Sequence, residues 1–275
     1  MGLVHVKWFV CDNCCCCCCC CCSSSSDGSV GVSGNAAEVG PLQEHVSAET
    51  MEGTAAVPSH GFHLTYFSLS QRGHYPDDPD RENQDAICIR TNLQGNPNLH
   101  FFGVFDGHGN FGAKCANFVR DELVDLLSSD TQLVEDPAKA YNSAFLAVNH
   151  RLRESEIDDS LSGTTAITVL ISGDTLTVAN VGDSRAVAAV VKGDVLVAED
   201  LSHDQTPFRK DEYERVKLCG ARVLSIDQVE GIKDPEIQSW EEGNDEGDPP
   251  RLWLPDAICP GTAFTEVLVT PLQRA

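Results

Sequence analysis

The chain has 275 residues, of which 41% are apolar, and a formal net charge of −23 at pH 7. This length and composition suit one large globular domain or two small ones, each with a hydrophobic core. The acidic charge argues against binding to nucleic acid, which needs a basic surface, and favours divalent cations or basic partners. No apolar stretch reaches the roughly 20 residues of a membrane-spanning helix, so we expect no integral membrane segment.

The first 60 residues are predicted to form a disordered tail rich in Cys and Ser. Ten of the 14 cysteines lie here, at Cys11 and in 14–22. Gly2 beside this run is a candidate for acylation, with thioester lipids on the cysteines, which would give a lipid-mediated membrane contact. Val6 departs from the acylation pattern, which prefers Ser or Thr there. Metal binding by the run, and a tract without function, remain the alternatives.

The remaining cysteines favour a reduced, intracellular protein. They lie far apart in the chain, without the C-x-x-C spacing of a zinc site, at Cys88, Cys115, Cys219 and Cys259. Adjacent cysteines in the tail cannot build a regular disulfide framework either. We therefore expect a cytoplasmic location, with membrane association only through acylation of the tail.

The folded part is predicted to begin at about residue 61. Alternating apolar residues in 62–69 indicate a first strand, a polar loop follows, and 86–89 indicates a second strand. Asp85 lies at the start of this second strand. It is a candidate carboxylate for a metal site, or a loop residue that caps backbone N–H groups; the pattern leaves both open.

The segment 99–109 is the centre of the predicted site. An apolar strand ends at Asp106, Gly107 and His108, and a helix is predicted to follow. A carboxylate, a glycine that lets a ligand approach the backbone, and an imidazole together suit a divalent metal ion. A simple turn between the strand and the helix is the competing interpretation.

The later elements indicate an α+β fold. Apolar residues at helical spacing predict helices at 112–127 and from Asp136-Pro137 to residue 152, and hairpin-linked strands in 162–198 predict an antiparallel meander. Helices laid on antiparallel strands predict a β-sandwich flanked by helices. Asp183 ends one of these strands beside a glycine. It is either a further metal carboxylate or a turn residue paired with Arg185.

Four motifs in one order carry a family resemblance. They are Phe-Phe-Gly-Val-Phe-Asp-Gly-His-Gly (101–109), Ser-Gly-Thr-Thr-Ala (162–166), Val-Gly-Asp-Ser-Arg-Ala (181–186) and Leu-Ser-His-Asp-Gln (201–205). With these motifs in this order, the chain resembles the metal-dependent protein serine/threonine phosphatases of type 2C. Two further segments, 204–222 and 247–265, resemble the phosphatase part of a plant protein that also carries cyclic nucleotide-binding and kinase domains.

The resemblance implies a phosphatase 2C-like α-β-β-α sandwich and hydrolysis of phosphoserine and phosphothreonine by a metal-activated water. Asp106 would bridge two Mg²⁺ or Mn²⁺ ions, with Asp85 as a second carboxylate and the Gly107 carbonyl as a further ligand. His108 would protonate the leaving oxygen. Asp183 would hold a third, weaker ion. Phosphoproteins would be the substrates, and we expect a monomer.

The chain also departs from the family pattern. Gln84 stands where a glutamate is usual, which predicts weaker metal retention. The phosphate-binding arginine has no clear match, with Arg72 and Arg81 as the candidates. After residue 265 the chain lacks the family's remaining metal carboxylates, so we predict a tail (1–60), a partial domain (61–265) with its C-terminal part missing, and a divergent tail (266–275).

Three interpretations of function follow from these observations. The chain is a phosphatase, or a truncated and catalytically impaired isoform that acts as a regulator or phosphoprotein-binding decoy. The third interpretation is a polypeptide that fails to fold. The sequence contains no docking motif that would name the substrate.

Overall fold

The structure, a computed structural model, describes residues 48–78, 80–237, 240, 248–255, 260–265 and 268. The cysteine run, the rest of 1–47 and most of 266–275 lie outside the described residues. The first strands and helices are β1 (Ala48–Val57), β2 (Phe62–Gln71), β3 (Ala86–Arg90), a 3₁₀ turn (Leu93–Gly95), β4 (Leu99–Phe105), β5 (Gly107–His108), α1 (Gly112–Ser129) and α2 (Pro137–Glu154).

The second half of the chain is richer in strands. Its elements are β6 (Gly163–Thr164), β7 (Ala166–Ser172), β8 (Thr175–Val181), β9 (Val187–Lys192), β10 (Val195–Asp200), α3 (Lys210–Leu218), β11 (Arg222–Leu224), α4 (Ile226–Val229), β12 (Arg251–Trp253) and β13 (Pro260–Thr262). No helix of the described residues is long and apolar enough to cross a bilayer.

A four-stranded antiparallel sheet with the order β3-β4-β7-β8 is the centre of the fold. Because side chains alternate along a strand, each strand contributes to both faces. Phe101 and Phe105 of β4 and Leu170 of β7 pack on one face against α1 and α2, in a core that includes Val119, Leu123 and Val148. Strand β4 pairs with β3 on one side and with β7 on the other, so it is a central strand of this sheet.

The opposite face is covered by the β1–β2 hairpin. Phe102 of β4 and Ile167 of β7 pack there against Ala55, Val57 and Leu64 of the hairpin. The sheet and the hairpin are thus two β layers, with α1 and α2 outside the sheet. This arrangement confirms the predicted α+β class with antiparallel sheets and helices.

Described elements also lie outside the predicted domain of 61–265. Strand β1 lies within the range expected to be a disordered tail, and it pairs with β2 over its whole length, from Ala48↔Gln71 to Val57↔Phe62. Leu268 lies within the expected C-terminal tail, yet it is buried and forms a β-bridge with Thr164. Backbone pairing and the burial of a few apolar residues together bring these segments into the fold.

The predicted meander is interrupted after β8. Strands β7 and β8 pair as expected, but β9 and β10 form a separate two-stranded sheet. The break falls at Gly182, whose φ of 106° turns the chain out of the first sheet. Gln205 fixes this turn, because its side-chain oxygen accepts from Gly182 N and its own N–H donates to Gly182 O.

Both long helices begin where the sequence predicts. Helix α2 starts with Asp136 as N-cap, whose side chain accepts from Lys139 N at 3.1 Å, and with Pro137 in the first turn. Helix α1 starts at Gly112, directly after the predicted site. Helix α3 packs with β11, β12 and Trp240 in a smaller third cluster.

His100 ties the sheet to the hairpin and makes stability depend on pH. Its ring is fully buried; Nε2 lies 3.2 Å from Ala56 O, and Nδ1 accepts from Asn92 N at 3.4 Å. Burial lowers the pKa of His100, so the unfolded chain takes up the proton at a higher pH than the folded protein. The free energy of unfolding should therefore decrease as the pH falls below about 6.5.

We expect His100→Gln to reduce this pH dependence, because its amide can still donate to Ala56 O but does not titrate. Urea unfolding of the variant and the wild type at several pH values between 7.5 and 5.5 measures the difference. Equal losses of stability in the two proteins would contradict the prediction.

Candidate metal centre

The predicted carboxylates end neighbouring strands at one edge of the four-stranded sheet. Ala86 of β3 pairs with Phe105 of β4, which places Asp85 and Asp106 opposite one another, one residue further along. Neighbouring strands lie about 4.8 Å apart. Ala86 and Phe105 both point towards the helices, so alternation directs both carboxylates to the hairpin side. Both residues are half-buried.

Asp183 lies further along the same edge. Val181 of β8 pairs with Ala166 of β7, so the turn that carries Asp183 follows the end of β8. Strand β7 separates β8 from β4, which makes the offset from Asp106 about 10 Å. The structure thus places Asp85 and Asp106 as direct neighbours and Asp183 at a distance suited to a separate ion.

Gly107 has no space for a side chain. A Cβ there would lie 2.4 Å from Gly112 O and 2.6 Å from Gln84 O, far inside van der Waals contact. Gly107 in turn pairs with Thr164 as part of the short β5–β6 ladder. This tight packing fixes the position of the Gly107 backbone. Its carbonyl, directly after Asp106 in the chain, could serve as a metal ligand.

Hard oxygen ligands of this kind suit Mg²⁺ or Mn²⁺. Mg²⁺ is commonly held by one or two carboxylates, with waters and substrate phosphate completing its shell. Asp85, Asp106 and the Gly107 carbonyl therefore fit such an ion as a partial set. The described residues contain no group of three or more His, Cys, Asp or Glu side chains that could hold a metal.

Gln84 braces the loop that carries Gly107 and His108. Its Nε2 donates to Gly109 O at 2.7 Å, a bond that a glutamate at this position could not make. The sequence interpretation concerned only the effect of Gln84 on metal retention. The structure adds a structural role for the amide, which anchors the loop at Gly109.

We expect Gln84→Glu to lower the free energy of unfolding in EDTA by about 1 to 3 kcal/mol, because Gly109 O loses its donor and faces a carboxylate. Gln84→Met, which removes the hydrogen bond without adding charge, separates the two effects. Urea unfolding in EDTA, followed by titration with Mn²⁺, measures both stability and metal retention. Unchanged stability of both variants in EDTA would contradict the bracing role.

His108 lies at the same edge but is covered. Phe264 packs against its ring with 4.9 Å between centroids. Both ring nitrogens are buried without a hydrogen-bond partner among the described residues, although the residue as a whole is half-buried. This burial lowers the pKa of His108 to about 4, so the imidazole is neutral near pH 7 in this arrangement.

The cover is anchored by two residues that follow Phe264 in the chain. Thr265 N donates to Gln205 O at 2.7 Å, and the Thr265 hydroxyl donates to Glu212. Leu268 exchanges two backbone hydrogen bonds with Thr164, at 3.1 and 3.3 Å. These contacts, rather than an attraction between the two rings alone, hold Phe264 over His108.

We expect Phe264→Ala to expose the His108 nitrogens. Carbethoxylation by diethyl pyrocarbonate should then proceed severalfold faster at His108, because the reagent needs access to a ring nitrogen. Peptide mass spectrometry follows each histidine separately. His150, whose side chain is 70% exposed, is the internal control and should react equally in both proteins. Equal rates at His108 would show that Phe264 does not cover it.

The two candidate phosphate-binding arginines differ in their surroundings. Arg81 stacks its guanidinium 4.4 Å from the centroid of Tyr75. Arg72 follows the end of β2, where Ser70 Oγ accepts from Asn83 Nδ2 at 2.8 Å. That bond brings the end of β2 close to the segment leading to Asp85. Within the described part of the chain no ion pair is found for Arg72.

Sequence reasoning missed the residues that hold these groups in place. Thr165 N donates to Asp106 O at 2.9 Å, Asp106 N donates to Thr165 Oγ1 at 3.2 Å, and Thr164 Oγ1 donates to Asp106 O at 3.0 Å. Arg185, considered as a partner of Asp183, makes a two-pronged bond to Asp204 at 2.8 and 2.9 Å. The sequence signal for this segment was the pair Thr164 and Thr165 in the second motif.

Comparison with known proteins identifies relatives for this arrangement. The family model described as "Protein phosphatase 2C" matches residues 76–232, a range that contains all five predicted site residues. "Probable protein phosphatase 2C 35" of Arabidopsis thaliana is 66% identical over 214 residues, or 78% of this chain and 62% of the relative. "Probable protein phosphatase 2C 64" of Oryza sativa subsp. japonica is 37% identical over 191 residues, or 66% and 41% of the two chains.

A solved structure shares the fold. The protein described as "Structure of a C.elegans sex determining protein" aligns with a TM-score of 0.50 and 18% identity, covering 84% of this chain and 45% of that chain. The chain spans 62% of the Arabidopsis relative and 41% of the rice relative, so it corresponds to part of each.

Proposed function

Because the chain belongs to the protein phosphatase 2C family, we propose that it hydrolyses phosphoserine and phosphothreonine in phosphoproteins. The family is dependent on Mg²⁺ or Mn²⁺. The observation that carries the proposal is the pair Asp85 and Asp106 on adjacent strands, next to the tightly packed Gly107. An oxygen-rich cation site of this kind suits hydrolysis of a phosphoric monoester by a metal-activated water.

Each residue has a proposed task. Asp85, Asp106 and the Gly107 carbonyl would hold two divalent cations, and Asp183 would hold a third. When bound, the cations make a water nucleophilic near neutral pH and offset the charge on the phosphoryl oxygens. The P–O bond to the seryl or threonyl oxygen breaks as the bond from water to phosphorus forms. His108 gives its proton to the leaving oxygen.

The proton transfer requires a change at Phe264. In the described arrangement His108 is neutral near pH 7, and its nitrogens are out of reach. A phosphate near the imidazole favours its protonated form, because opposite charges stabilise one another. His108 can therefore serve as the acid once the Phe264 ring has moved aside and substrate lies at the edge of the sheet.

A second candidate function is a catalytically impaired regulator that binds phosphoproteins as a decoy. Two observations favour it: the incomplete ligand set among the described residues, and the covered His108. Such a protein would compete for partners of an active phosphatase without turning them over.

Further features are proposed from the sequence alone. We propose a monomer located in the cytoplasm, with a lipid-mediated membrane contact through Gly2 and the cysteine run. We also propose a specific relation to the phosphatase part of a plant fusion protein, on the resemblance of 204–222 and 247–265. The matched relatives support the phosphatase relation.

The test is hydrolysis of a phosphothreonine peptide by the 275-residue chain in Mn²⁺, in Mg²⁺ and in EDTA. We expect turnover that needs the cation. Asp106→Asn should lower kcat/KM by at least about 100-fold, since changing even the partner of a metal ligand costs about 10- to 100-fold. This variant keeps the shape of the side chain and removes its charge.

A longer chain, extended to the length of the Arabidopsis relative with that relative's sequence, is the comparison. Activity of the 275-residue chain that Asp106→Asn abolishes supports the phosphatase. Activity of the longer chain alone, together with phosphopeptide binding by the shorter one, supports the decoy. Metal-independent turnover, or turnover unaffected by Asp106→Asn, would refute the proposed site.

A further inference from the structure

A pair of hydroxyl groups joins the two places at which carboxylates are proposed to bind cations. Thr165 Oγ1 and Ser184 Oγ lie 2.7 Å apart. Thr165 belongs to the segment that holds Asp106, and Ser184 follows Asp183 directly. We propose that Thr165 and Ser184 are positioning residues that couple cation binding at Asp106 to the placement of Asp183. This inference rests on the proposed function, because it concerns the same cations.

On one side, Thr165 fixes the backbone of Asp106. Its hydroxyl accepts from Asp106 N, and its N–H donates to Asp106 O. Thr164 adds a second donor to the same carbonyl. Both backbone groups of Asp106 are therefore held by one neighbouring segment, which restricts the direction in which the carboxylate leaves the strand.

On the other side, Thr165 packs against the turn that carries Asp183. A Cβ on Gly182 would lie 2.7 Å from Thr165 Cγ2, so the methyl group touches the backbone of the turn. Gln205 holds Gly182 from outside with two hydrogen bonds. The turn is thus confined between Thr165 and Gln205, and Ser184 has its hydroxyl directed at Thr165.

A hydroxyl is suited to this link because it donates one hydrogen bond and accepts others. Thr165 Oγ1 accepts from Asp106 N while it forms a hydrogen bond with Ser184 Oγ. A shift of the Asp106 backbone on cation binding therefore changes the bond to Ser184, next to Asp183. Thr165 is only 1% exposed, so water cannot readily replace a lost partner.

Thr165→Val removes the hydroxyl and keeps the shape, whereas Thr165→Ser keeps the hydroxyl. Ser184→Ala removes the other half of the pair. Thr168→Val is the matched control: Thr168 is in β7, which begins directly after Thr165, is fully buried, and its hydroxyl donates to Ala179 O at 3.3 Å, away from the edge. Mn²⁺ titration, with free Mn²⁺ measured by electron paramagnetic resonance, gives the dissociation constants in the 275-residue chain.

We expect Thr165→Val to weaken Mn²⁺ binding about tenfold or more, and Thr165→Ser to restore most of it. Ser184→Ala should weaken binding too, with little further loss in the double variant, because both changes break one link. Thr168→Val should lower stability without changing the Mn²⁺ constants. In metal-free protein, hydrogen exchange at the Asp106 amide should accelerate in Thr165→Val and not in Thr168→Val.

Equal effects of Thr165→Val and Thr168→Val on Mn²⁺ binding would reduce Thr165 to a structural role and overturn the proposal. Additive losses in the double variant would also overturn the coupling, as would a wild type that binds no Mn²⁺. Phosphopeptide hydrolysis is measured in parallel. If the Mn²⁺ pattern holds and no protein turns over substrate, the coupling stands and the proposed phosphatase activity of this chain fails.

Discussion

The pairing of β4 with β7 is the constraint on which the rest of the structure depends. It runs from Leu99↔Ser172 to Val104↔Ile167 and brings together segments separated by both long helices. Such a distant contact has a large entropic cost of closure, which burial of apolar groups on both faces of β4 offsets. Once this register is set, Asp106 must lie beside Thr165, because each is the next residue beyond the paired strands.

The motifs that identify the family are joined through this register into one series. Asp106 bonds to Thr165, and Thr165 bonds to Ser184. The turn before Ser184 is then held by Gln205, whose carbonyl accepts from Thr265 N. Each motif therefore contributes to the site chiefly by fixing its neighbour in the series. Residues without any charge are as important to the position of the carboxylates as the carboxylates themselves.

The sequence predicted the parts of the fold that depend on local signals. Helix α2 was recognisable from its N-cap at Asp136 and its apolar face, and β4 from a continuous apolar run. Strand β1 was not, because its polar residues Glu49 and Glu52 hide the pattern and its order comes from backbone bonds to β2. The turn at Gly182 was recognised as a strand end, but its separation of β9 from the first sheet depends on Gln205, more than twenty residues away.

The candidate site, too, could be predicted only in part from the sequence. Asp85, Asp106, Gly107, His108 and Asp183 were selectable from their chemistry at strand ends, and their metal and acid roles remain predictions. Thr165 and Ser184 were not selected, because a hydroxyl group near a strand end usually only satisfies a local backbone group. The two residues meet only in the folded sheet, because β7 lies between β4 and β8.

The covered state of His108 has an energetic consequence for ligand binding. Burying a polar group without a partner costs about 1 to 3 kcal/mol on the evidence of protein mutations, and both nitrogens of this ring lack a partner among the described residues. The contacts of Thr265 and Leu268 stabilise the cover against this cost. A ligand that offers His108 an acceptor removes the penalty, whereas an apolar one does not. The site as folded is therefore biased towards opening for an anion such as a phosphate, and this bias comes from the buried imidazole itself.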